Sequence, residues 1–433
     1  MKYNSAILFI LLLVLACTRF MSCTFISVKL SLIILYLSVT FLWLFFFKLL
    51  FISNKKKKYY PSALYVFLLS ILPIFSWINC LVFHNQSFIH SLMAFIPHWV
   101  FIVYFYLVYR KVNPDSIIRI VLVFAFIRTT LTFIEQITYP IAPFALRMDG
   151  FDETGVYREL EQRNGFYRFL IADAYNIVLF SCIYTFCKYL QYFNYKFLLF
   201  FLFCTFGLYM DGSRQVMVAL AVTLLLYPIL VKGGNKLKYV FIIVVICGLA
   251  YRYYDVIFSE LAEKTESDTD DMGGRILSYA YFLKPGSWSE TIFGHGLPYK
   301  DSSWGRYMQY MHEMKVRPHD VGIIGAGYMI GWLNVLVFLF YFWGVIRKYW
   351  KNIDTSVKLY ALTIIIMMPF IFPLYNGAIP VWELFVGLIF YLVDTSIQRN
   401  LKTRIVRRYW RKRLAYFKVT NHDTDKGTIG LLH

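Results

Sequence analysis

Long apolar runs alternate with shorter polar segments along the whole chain. Most runs are near the roughly 20 residues that an α-helix, rising about 1.5 Å per residue, needs to cross about 30 Å of hydrocarbon. The apolar runs cover residues 5–20, 29–53, 61–83, 90–109, 116–138, 167–187, 195–211, 215–231, 239–256, 321–346, 358–375 and 379–397. The pattern predicts an all-α integral membrane protein with about twelve transmembrane helices.

Composition supports this class and excludes a soluble domain. Hydrophobic residues make up 59% of the 433 residues and charged residues only 16%, whereas a soluble domain is about 25% charged. A membrane barrel is also excluded, because its strands alternate apolar and polar residues over about ten positions. The seven cysteines lie within or beside the apolar runs and form no CxxC pair. We therefore expect neither a cysteine zinc site nor a disulfide framework.

The basic residues lie in alternate loops, and this distribution predicts the orientation. Twelve alternating helices put all of these loops on one side of the membrane. The basic clusters fall within residues 55–58, 110–119, 188–196, 232–238, 347–358 and 399–418. Because basic loops stay inside, both termini are expected in the cytoplasm. The net charge of +19 then indicates anionic membrane lipid as a partner and argues against nucleic acid.

Two acidic segments are expected on the outer face. Residues 139–166 form the smaller loop, and residues 257–320, between helices 9 and 10, form one large extracytoplasmic loop. Residues 1–397 then make up the polytopic transmembrane domain, and residues 398–433 make up a basic cytoplasmic tail. The tryptophans and tyrosines of the large loop either stack on sugars or anchor the loop at the membrane interface, and we favour the anchor.

A short outer turn between the seventh and eighth helices carries the first candidate site. Asp211, Ser213 and Arg214 lie in this turn. In a structural interpretation, Asp211 or Ser213 caps the next helix. In a functional interpretation, Arg214 and the free N–H groups of the helix N-terminus bind phosphate. The two interpretations are evenly matched when the turn is considered alone.

The large loop carries two glycine-rich turns and a His-Asp pair. Arg275 follows a Gly-Gly pair, a second glycine-rich turn covers residues 293–296, and His319 and Asp320 stand at the start of the tenth helix. A histidine at the edge of a helix is more often a surface or capping residue than a catalyst. His319 beside Asp320 nevertheless has the chemistry of a general base near neutral pH.

Several other charged residues are candidates because of their depth in the membrane. Arg128 lies in the middle of the fifth helix, where an arginine is costly and is therefore a functional candidate. Glu135 follows on the same helical face, and we expect the two to form an ion pair. Arg163 and Arg168, near the outer end of the sixth helix, are additional candidates. His98 is expected to be a core residue whose hydrogen bonds are satisfied.

In this order, the outer motifs resemble those of the O-antigen polymerase (Wzy) and O-antigen ligase superfamily. The motifs are Gly212-Ser213-Arg214 at the start of an apolar span, Gly273-Gly274-Arg275, Ile292-Phe293-Gly294-His295-Gly296, His319-Asp320 and the glycine-bearing helix 321–340. Each motif is short. The resemblance depends on their order, spacing and common placement over roughly residues 139–345, and on the topology of the whole chain.

The resemblance implies a metal-independent glycosyltransferase. Such enzymes move a glycan from undecaprenyl diphosphate to an acceptor hydroxyl at the outer face of the bacterial cytoplasmic (inner) membrane. The resemblance assigns the diphosphate to Arg214 and Arg275, with Ser213 in the same turn, and the loop histidine to His319. Asp320 stands where the family often has asparagine. No nucleotide, metal or other cofactor is expected, and a chain-length regulator protein is a candidate partner.

Three functions are compatible with this resemblance and topology. The sparse match favours a polymerase of O-antigen, capsular or exopolysaccharide repeat units. An O-antigen ligase, which transfers the finished glycan to lipid A core or to protein, is the first alternative. A lipid-linked oligosaccharide flippase is the second, although transporters place more polar residues within their helices than this sequence does.

Overall fold

The described part of the chain is almost entirely helical, which confirms the all-α prediction. A computed structural model of the protein describes residues 2–20, 28–50, 60–139, 144, 162–163, 166–167, 175–211, 214–230, 269–284, 286–374 and 380–427. The α-helices are α1 (Lys2–Cys17), α2 (Val28–Leu50), α3 (Ala63–Ile71), α4 (Pro73–His84), α5 (Phe88–Phe95), α6 (Val103–Arg110), α7 (Pro114–Thr138), α8 (Tyr175–Tyr192), α9 (Tyr195–Met210), α10 (Arg214–Leu230), α11 (Thr269–Phe282), α12 (Trp288–Phe293), α13 (Ser303–Glu313), α14 (Gly322–Ile330), α15 (Trp332–Tyr341), α16 (Thr355–Met367) and α17 (Val381–Gly427).

Shorter elements complete the described fold. A two-stranded antiparallel hairpin consists of β1 (Gln162–Arg163) and β2 (Phe166–Tyr167). Segments of 3₁₀-helix cover Ile96–Ile102, Pro318–Val321 and Trp350–Asn352. A π-helical turn covers Phe342–Arg347.

Several of these helices are suited to a membrane. Five segments are long and apolar enough to cross one, namely Leu30–Lys48, Ala63–His84, Phe88–Arg110, Pro114–Thr138 and Val381–Thr403. A sixth is added if the bent pair Pro318–Ile330 and Trp332–Arg347 counts as one span. Four shorter apolar helices of 10–17 residues also lie in predicted spans. The predicted span 239–256 lies outside the described residues. The chain is thus a helical membrane protein, while the count of twelve spans and the loop layout stay predictions.

Helix α17 forms the centre of the described structure. Its residues 384–393 are almost completely buried, and the helix packs against the 3₁₀ segment Ile96–Ile102, α6 and α16. The near-continuous apolar stretch of α17 fits this position, because a helix surrounded by other helices has no polar face. The helix continues without a break to Gly427, so it extends through most of the predicted tail 398–433.

Two buried carboxylates on α17 have hydrogen-bonding partners on other helices. Oε1 of Glu383 lies 2.6 Å from Nδ1 of His98, which confirms the expectation that His98 is a satisfied core residue. Asp394 accepts hydrogen bonds from Ser62 Oγ at 2.7 Å and from the Tyr104 hydroxyl at 2.6 Å. Buried charge is tolerated only with such partners, so these contacts specify how the helices pack around α17.

The run 321–346, predicted as one span, is instead two helices. Helices α14 and α15 meet at Gly331 with a bend of 117°. Gly331 has a φ of +89°, a conformation that glycine adopts without strain, and a Cβ at this position would overlap the backbone of Phe293. The apolar pattern did not predict the bend, because the run contains no proline or charged residue.

Residues 286–305, here called the docked segment, cap the end of α14 at this bend. The backbone N–H of His295 donates to the carbonyl of Tyr328 at 2.9 Å. The N–H of Gly296 donates to the carbonyl of Met329 at 2.8 Å. The last carbonyls of a helix have no partner within it, and unpaired carbonyls are costly in lipid. The docked segment therefore stabilises the bent helix pair.

Polar side chains on or just after α4 hold the docked segment. Nδ2 of Asn79 donates to the carbonyl of Gly294 at 2.8 Å. Nε2 of Gln86 donates to the carbonyl of Leu297 at 2.8 Å, and its Oε1 accepts from Ser302 Oγ at 2.7 Å. Because these amides pair with backbone groups as well as side chains, they position the path of the segment.

Candidate functional site

Arg275 lies beside the start of α10. Its exposed guanidinium projects from α11. In the amide orientation that satisfies both groups, Oε1 of Gln215 accepts hydrogen bonds from both terminal nitrogens of Arg275 at 3.3 Å. Gln215 directly follows Arg214, the first residue of α10, so Arg275 lies beside the first turn of this helix.

The His319–Asp320 segment packs on the same helix as Arg275. The backbone N–H of Arg317 donates to Ser278 Oγ at 3.0 Å. Ser278 lies three residues after Arg275, which makes the two side chains neighbours on the helix surface. We call Gln215, Arg275, His319 and Asp320 together the arginine–histidine surface.

His319 and Asp320 are close but not hydrogen-bonded to each other. Nε2 of His319 lies 3.9 Å from Oδ1 of Asp320, with about a third of each side chain exposed (33% and 32%). A hydrogen bond requires about 3.2 Å or less. Asp320 therefore does not orient His319 through a hydrogen bond, although the two residues are adjacent in the sequence. The His319 ring lies 6.0 Å from the ring of His312. His319 is therefore an accessible imidazole rather than one held in place by Asp320.

The other candidate diphosphate contacts fall partly or fully outside the described structure. Ser213 and Arg168 lie outside the described residues. The backbones of Arg163 and Arg214 begin or end described elements, but their side chains lie outside the described part. Their assigned roles stay predictions.

Arg128 forms a buried ion pair directly before the predicted phosphate turn. Its guanidinium donates to the Asp211 carboxylate, and the two side chains are 2% and 1% exposed. The guanidinium carbon also lies 5.3 Å from the centre of the Tyr175 ring, a cation–π contact. The expectation that Glu135 neutralises Arg128 is corrected accordingly. Glu135 accepts a hydrogen bond from the backbone N–H of Phe144.

A second cluster of titratable groups joins α4 to the docked segment, and sequence analysis did not predict it. Oε1 of Glu290 lies 3.4 Å from Nε2 of His295 and 3.8 Å from Nε2 of His84. The three donor atoms all lie within 4.8 Å of one another. The side chains of His84, Glu290 and His295 are 17%, 12% and 9% exposed, so the cluster is nearly enclosed.

Hydrogen bonds orient two members of this cluster. Nδ1 of His295 lies 3.0 Å from the carbonyl of Tyr328, and this contact requires a proton on Nδ1 and leaves the lone pair on Nε2. Oε2 of Glu290 accepts from the backbone N–H and the hydroxyl of Ser287 at 2.9 and 2.8 Å. This reciprocal capping box turns the other oxygen, Oε1, towards both histidines.

The surroundings also shift the pKa values of the two cluster residues on the docked segment. Burial lowers the pKa of His295 below its ordinary value, against the opposing effects of the Tyr328 carbonyl and of Glu290. Burial raises the pKa of Glu290, but hydrogen bonds from Ser287 and the nearby histidines outweigh it, so this pKa lies below its ordinary value. A neutral imidazole therefore faces an ionised carboxylate at neutral pH.

Aromatic rings form the walls of the cluster. The His84 ring stacks on Trp304 with centroids 3.9 Å apart. The His295 ring stacks on Tyr328 with centroids 3.7 Å apart. Nε2 of His84 is buried and has no hydrogen-bond partner within the part of the chain that the structure describes. Three electron-pair donors thus converge in a nearly enclosed site, where they can bind a metal ion or share a proton.

Only part of this cluster has a signal in the sequence. Ser287 and Glu290 have the spacing of a capping box, and His295 lies in the glycine-rich turn that was singled out. Nothing in the local pattern connects His84 to these residues, because it lies at the end of a different apolar run.

No protein-family model matches this chain, and a search among curated proteins finds no match. The function is therefore proposed from the sequence motifs and from the geometry of the described residues.

Proposed function

We propose that this protein polymerises undecaprenyl-diphosphate-linked oligosaccharide repeat units at the outer face of the bacterial cytoplasmic membrane. The main support is the contact of Gln215 with Arg275 at 3.3 Å. Through this contact, the helix start that carries Arg214 and the loop helix that carries Arg275 lie side by side. Two arginines at one helix N-terminus provide the fixed positive charge that a diphosphate needs.

The proposed chemistry is a single glycosyl transfer without a metal at the reacting bond. The acceptor hydroxyl oxygen bonds to the anomeric carbon of the donor glycan, and the bond from that carbon to the diphosphate oxygen breaks. The bonding electrons leave with the diphosphate, whose growing negative charge Arg214 and Arg275 stabilise. His319 accepts the hydroxyl proton as general base, and its exposed ring is open to an incoming glycan.

The buried ion pair Arg128–Asp211 fixes the end of α9, next to the proposed site. Asp211 ends α9 and immediately precedes the turn before α10. Because its carboxylate is fixed to Arg128 on α7, the position at which α10 begins is fixed relative to two other helices. Arg128 is therefore assigned as a positioning residue rather than as a diphosphate contact.

The test is gel analysis of surface polysaccharide from cells that lack this gene and are complemented with variants. We expect deletion to leave a single repeat unit on its normal acceptor. Arg214→Ala and Arg275→Ala should each reduce polymer by roughly 100-fold, as loss of a transition-state contact does. Arg306→Ala, which removes an exposed arginine on α13, should restore the full ladder.

Other outcomes separate the alternatives. Normal polymer from both arginine variants, at equal protein levels in the membrane, would refute the assigned site. Full-length polymer retained on the undecaprenyl carrier in the deletion strain would indicate a ligase. An unchanged ladder in the deletion strain would contradict both glycosyltransferase functions.

The bend at Gly331 favours transport as a second candidate function. Discontinuous helices are common at the substrate sites of transporters, and α14 and α15 are such a pair. The two functions differ in where the lipid-linked repeat unit accumulates when the gene is deleted. Accumulation on the outer leaflet supports the polymerase, and accumulation on the inner leaflet supports the flippase.

A further inference from the structure

We propose that His84, Glu290 and His295 form a site for a divalent transition-metal ion, with Zn²⁺ as the best match, that fastens the docked segment to the end of α4. This inference does not depend on the glycan chemistry proposed above. It revises the expectation that the protein binds no metal. That expectation came from the lack of cysteine pairs in the sequence and from the resemblance to metal-independent enzymes.

The spacing of the donor atoms is close to that of a tetrahedral metal site. Zinc bonds of about 2.0–2.1 Å place neighbouring ligand atoms about 3.3 Å apart. The observed distances to Oε1 of Glu290 are 3.4 Å from His295 and 3.8 Å from His84. The two imidazole donor atoms lie within 4.8 Å of each other. The site closes around an ion if His84 moves towards both Glu290, by about 0.5 Å, and His295.

The hydrogen bonds around the cluster are those that metal ligands use. A ligating histidine usually donates its second ring N–H to a carbonyl, which sets the tautomer and aims the other nitrogen at the metal. His295 has this arrangement with the Tyr328 carbonyl at 3.0 Å. Glu290 uses one oxygen for Ser287 at 2.8 and 2.9 Å and keeps the other for the cluster.

His84 supplies an independent indication of a ligand. Its Nε2 is buried and lacks a hydrogen-bond partner among the described residues, although buried polar atoms are normally paired. The atom is directed to within 3.8 Å of Oε1 of Glu290. A metal ion between the two would satisfy both atoms.

The donor set selects the kind of metal. Two imidazoles and one carboxylate suit zinc and its neighbours in the first transition row, whereas Mg²⁺ and Ca²⁺ prefer oxygen ligands alone. A set of two histidines and one glutamate leaves a fourth position for water. The rings of Trp304 and Tyr328 stack on the two histidines, and the three ligands come from α4 and from the docked segment, so the ion links these two parts of the chain.

The first experiment measures metal content and affinity on the full-length protein in detergent. The protein is purified with a tag that contains no histidine, stripped with a chelator and titrated with Zn²⁺. We expect one Zn²⁺ per chain and a rise in Tm on addition of metal, because the ion binds the folded state. Wild-type protein that takes up no zinc, with no rise in Tm, would overturn the proposal.

The second experiment uses variants that separate metal loss from misfolding. Glu290→Gln preserves the size of the side chain and should weaken zinc binding at least tenfold, and Ser287→Ala should weaken it about tenfold through the orienting hydrogen bonds. His312→Ala removes an exposed histidine of α13 and should bind zinc as the wild type does. Unchanged affinity in Glu290→Gln, with a normal elution profile, would contradict the site.

The third experiment identifies the ligands by spectroscopy. Co²⁺ in place of zinc absorbs strongly in the visible range when it is four-coordinate, and the bands depend on its ligands. We expect such bands in the wild type and in His312→Ala, and their loss in His295→Ala. Equal spectra from wild type and His295→Ala would place the metal elsewhere and refute this site.

Discussion

The docked segment and the arginine–histidine surface both include residues of the predicted large loop 257–320, but their side chains differ in burial and in hydrogen bonding. In the docked segment, Glu290 and His295 are 12% and 9% exposed and both are fixed by hydrogen bonds. On the arginine–histidine surface, His319 and Asp320 are 33% and 32% exposed and are too far apart for a hydrogen bond.

Under the proposed function, this difference separates a segment that supports the fold from a surface on which the reaction takes place. Residues that anchor a loop gain from burial, because burial strengthens their contacts and excludes water. Residues that receive a large glycan must stay accessible. We therefore expect substitutions in the docked segment to change mainly stability, and substitutions on the arginine–histidine surface to change mainly polymer formation.

The largest expected loss of stability comes from substitution of the buried ion pair Arg128–Asp211. Arg128→Met should lower the free energy of unfolding by about 3–5 kcal/mol, because it leaves the buried Asp211 carboxylate without its cation. Chemical or thermal unfolding in detergent micelles measures this loss. The double variant Arg128→Met/Asp211→Leu should regain most of it, since neither charge of the pair remains. A loss below about 1 kcal/mol in the single variant would show that the pair does not support the turn.

The next effect tests the contact between the docked segment and the bend. Gly331→Ala should lower the free energy of unfolding by about 3 kcal/mol, because it combines backbone strain at φ +89° with overlap on Phe293. Gly273→Ala is the matched control on α11, where an added Cβ meets nothing within 4 Å. It should stabilise the protein by about 0.5–1 kcal/mol. Similar effects from both variants would argue against a close approach at Gly331.

A smaller and more local effect is expected at Gln86. Gln86→Ala should cost about 1–3 kcal/mol, because it leaves the buried Leu297 carbonyl and other groups unpaired. Hydrogen exchange should increase within residues 297–302 and not on α11. Ser303→Ala, which removes a hydrogen bond from an exposed hydroxyl, should change stability by about 0.5 kcal/mol or less. Uniform loss of protection across the protein would contradict local anchoring.

The smallest effect on stability should come from the arginine–histidine surface itself. Gln215→Ala removes a contact between a half-buried amide and the exposed Arg275, so the free energy of unfolding should change by about 0.5 kcal/mol or less. Polymer yield should nevertheless fall several-fold, because Arg275 loses its orienting partner. Gln309→Ala, on the exposed face of α13, should change neither quantity. If Gln215→Ala lowered stability but left polymer yield normal, the arginine–histidine surface would have the supporting role that is assigned here to the docked segment.

The helices of the described residues were largely predictable from the sequence. Long apolar runs leave few alternatives to a helix, because every backbone polar group must be paired in lipid. The bend at Gly331 was not predictable. The run 321–346 contains five glycines, and the local pattern does not indicate at which of them the helix bends. That choice depends on Phe293, which lies in a different part of the chain.

The contacts at the candidate sites were likewise only partly predictable from the sequence. The resemblance assigned Arg214 and Arg275 to one diphosphate. Arg275 lies near the start of α10 with Gln215 as its partner, and its role in binding diphosphate stays a prediction. The ion pair of Arg128 was predicted within its own helix and formed between helices. The cluster of His84 with Glu290 and His295 was missed for a related reason. Helical periodicity identifies neighbours on one helix, whereas these contacts depend on how distant segments pack.

The caps on α14 also have a consequence for the order of protein synthesis. Asn79 and Gln86 leave the ribosome first, the docked segment follows, and the bent pair α14–α15 comes last. The N–H groups of His295 and Gly296 are therefore synthesised before the carbonyls with which they pair. We expect the bend to form against hydrogen-bond donors that are already present. The carbonyls of Tyr328 and Met329 then do not remain unpaired in lipid until a later segment of the chain is made.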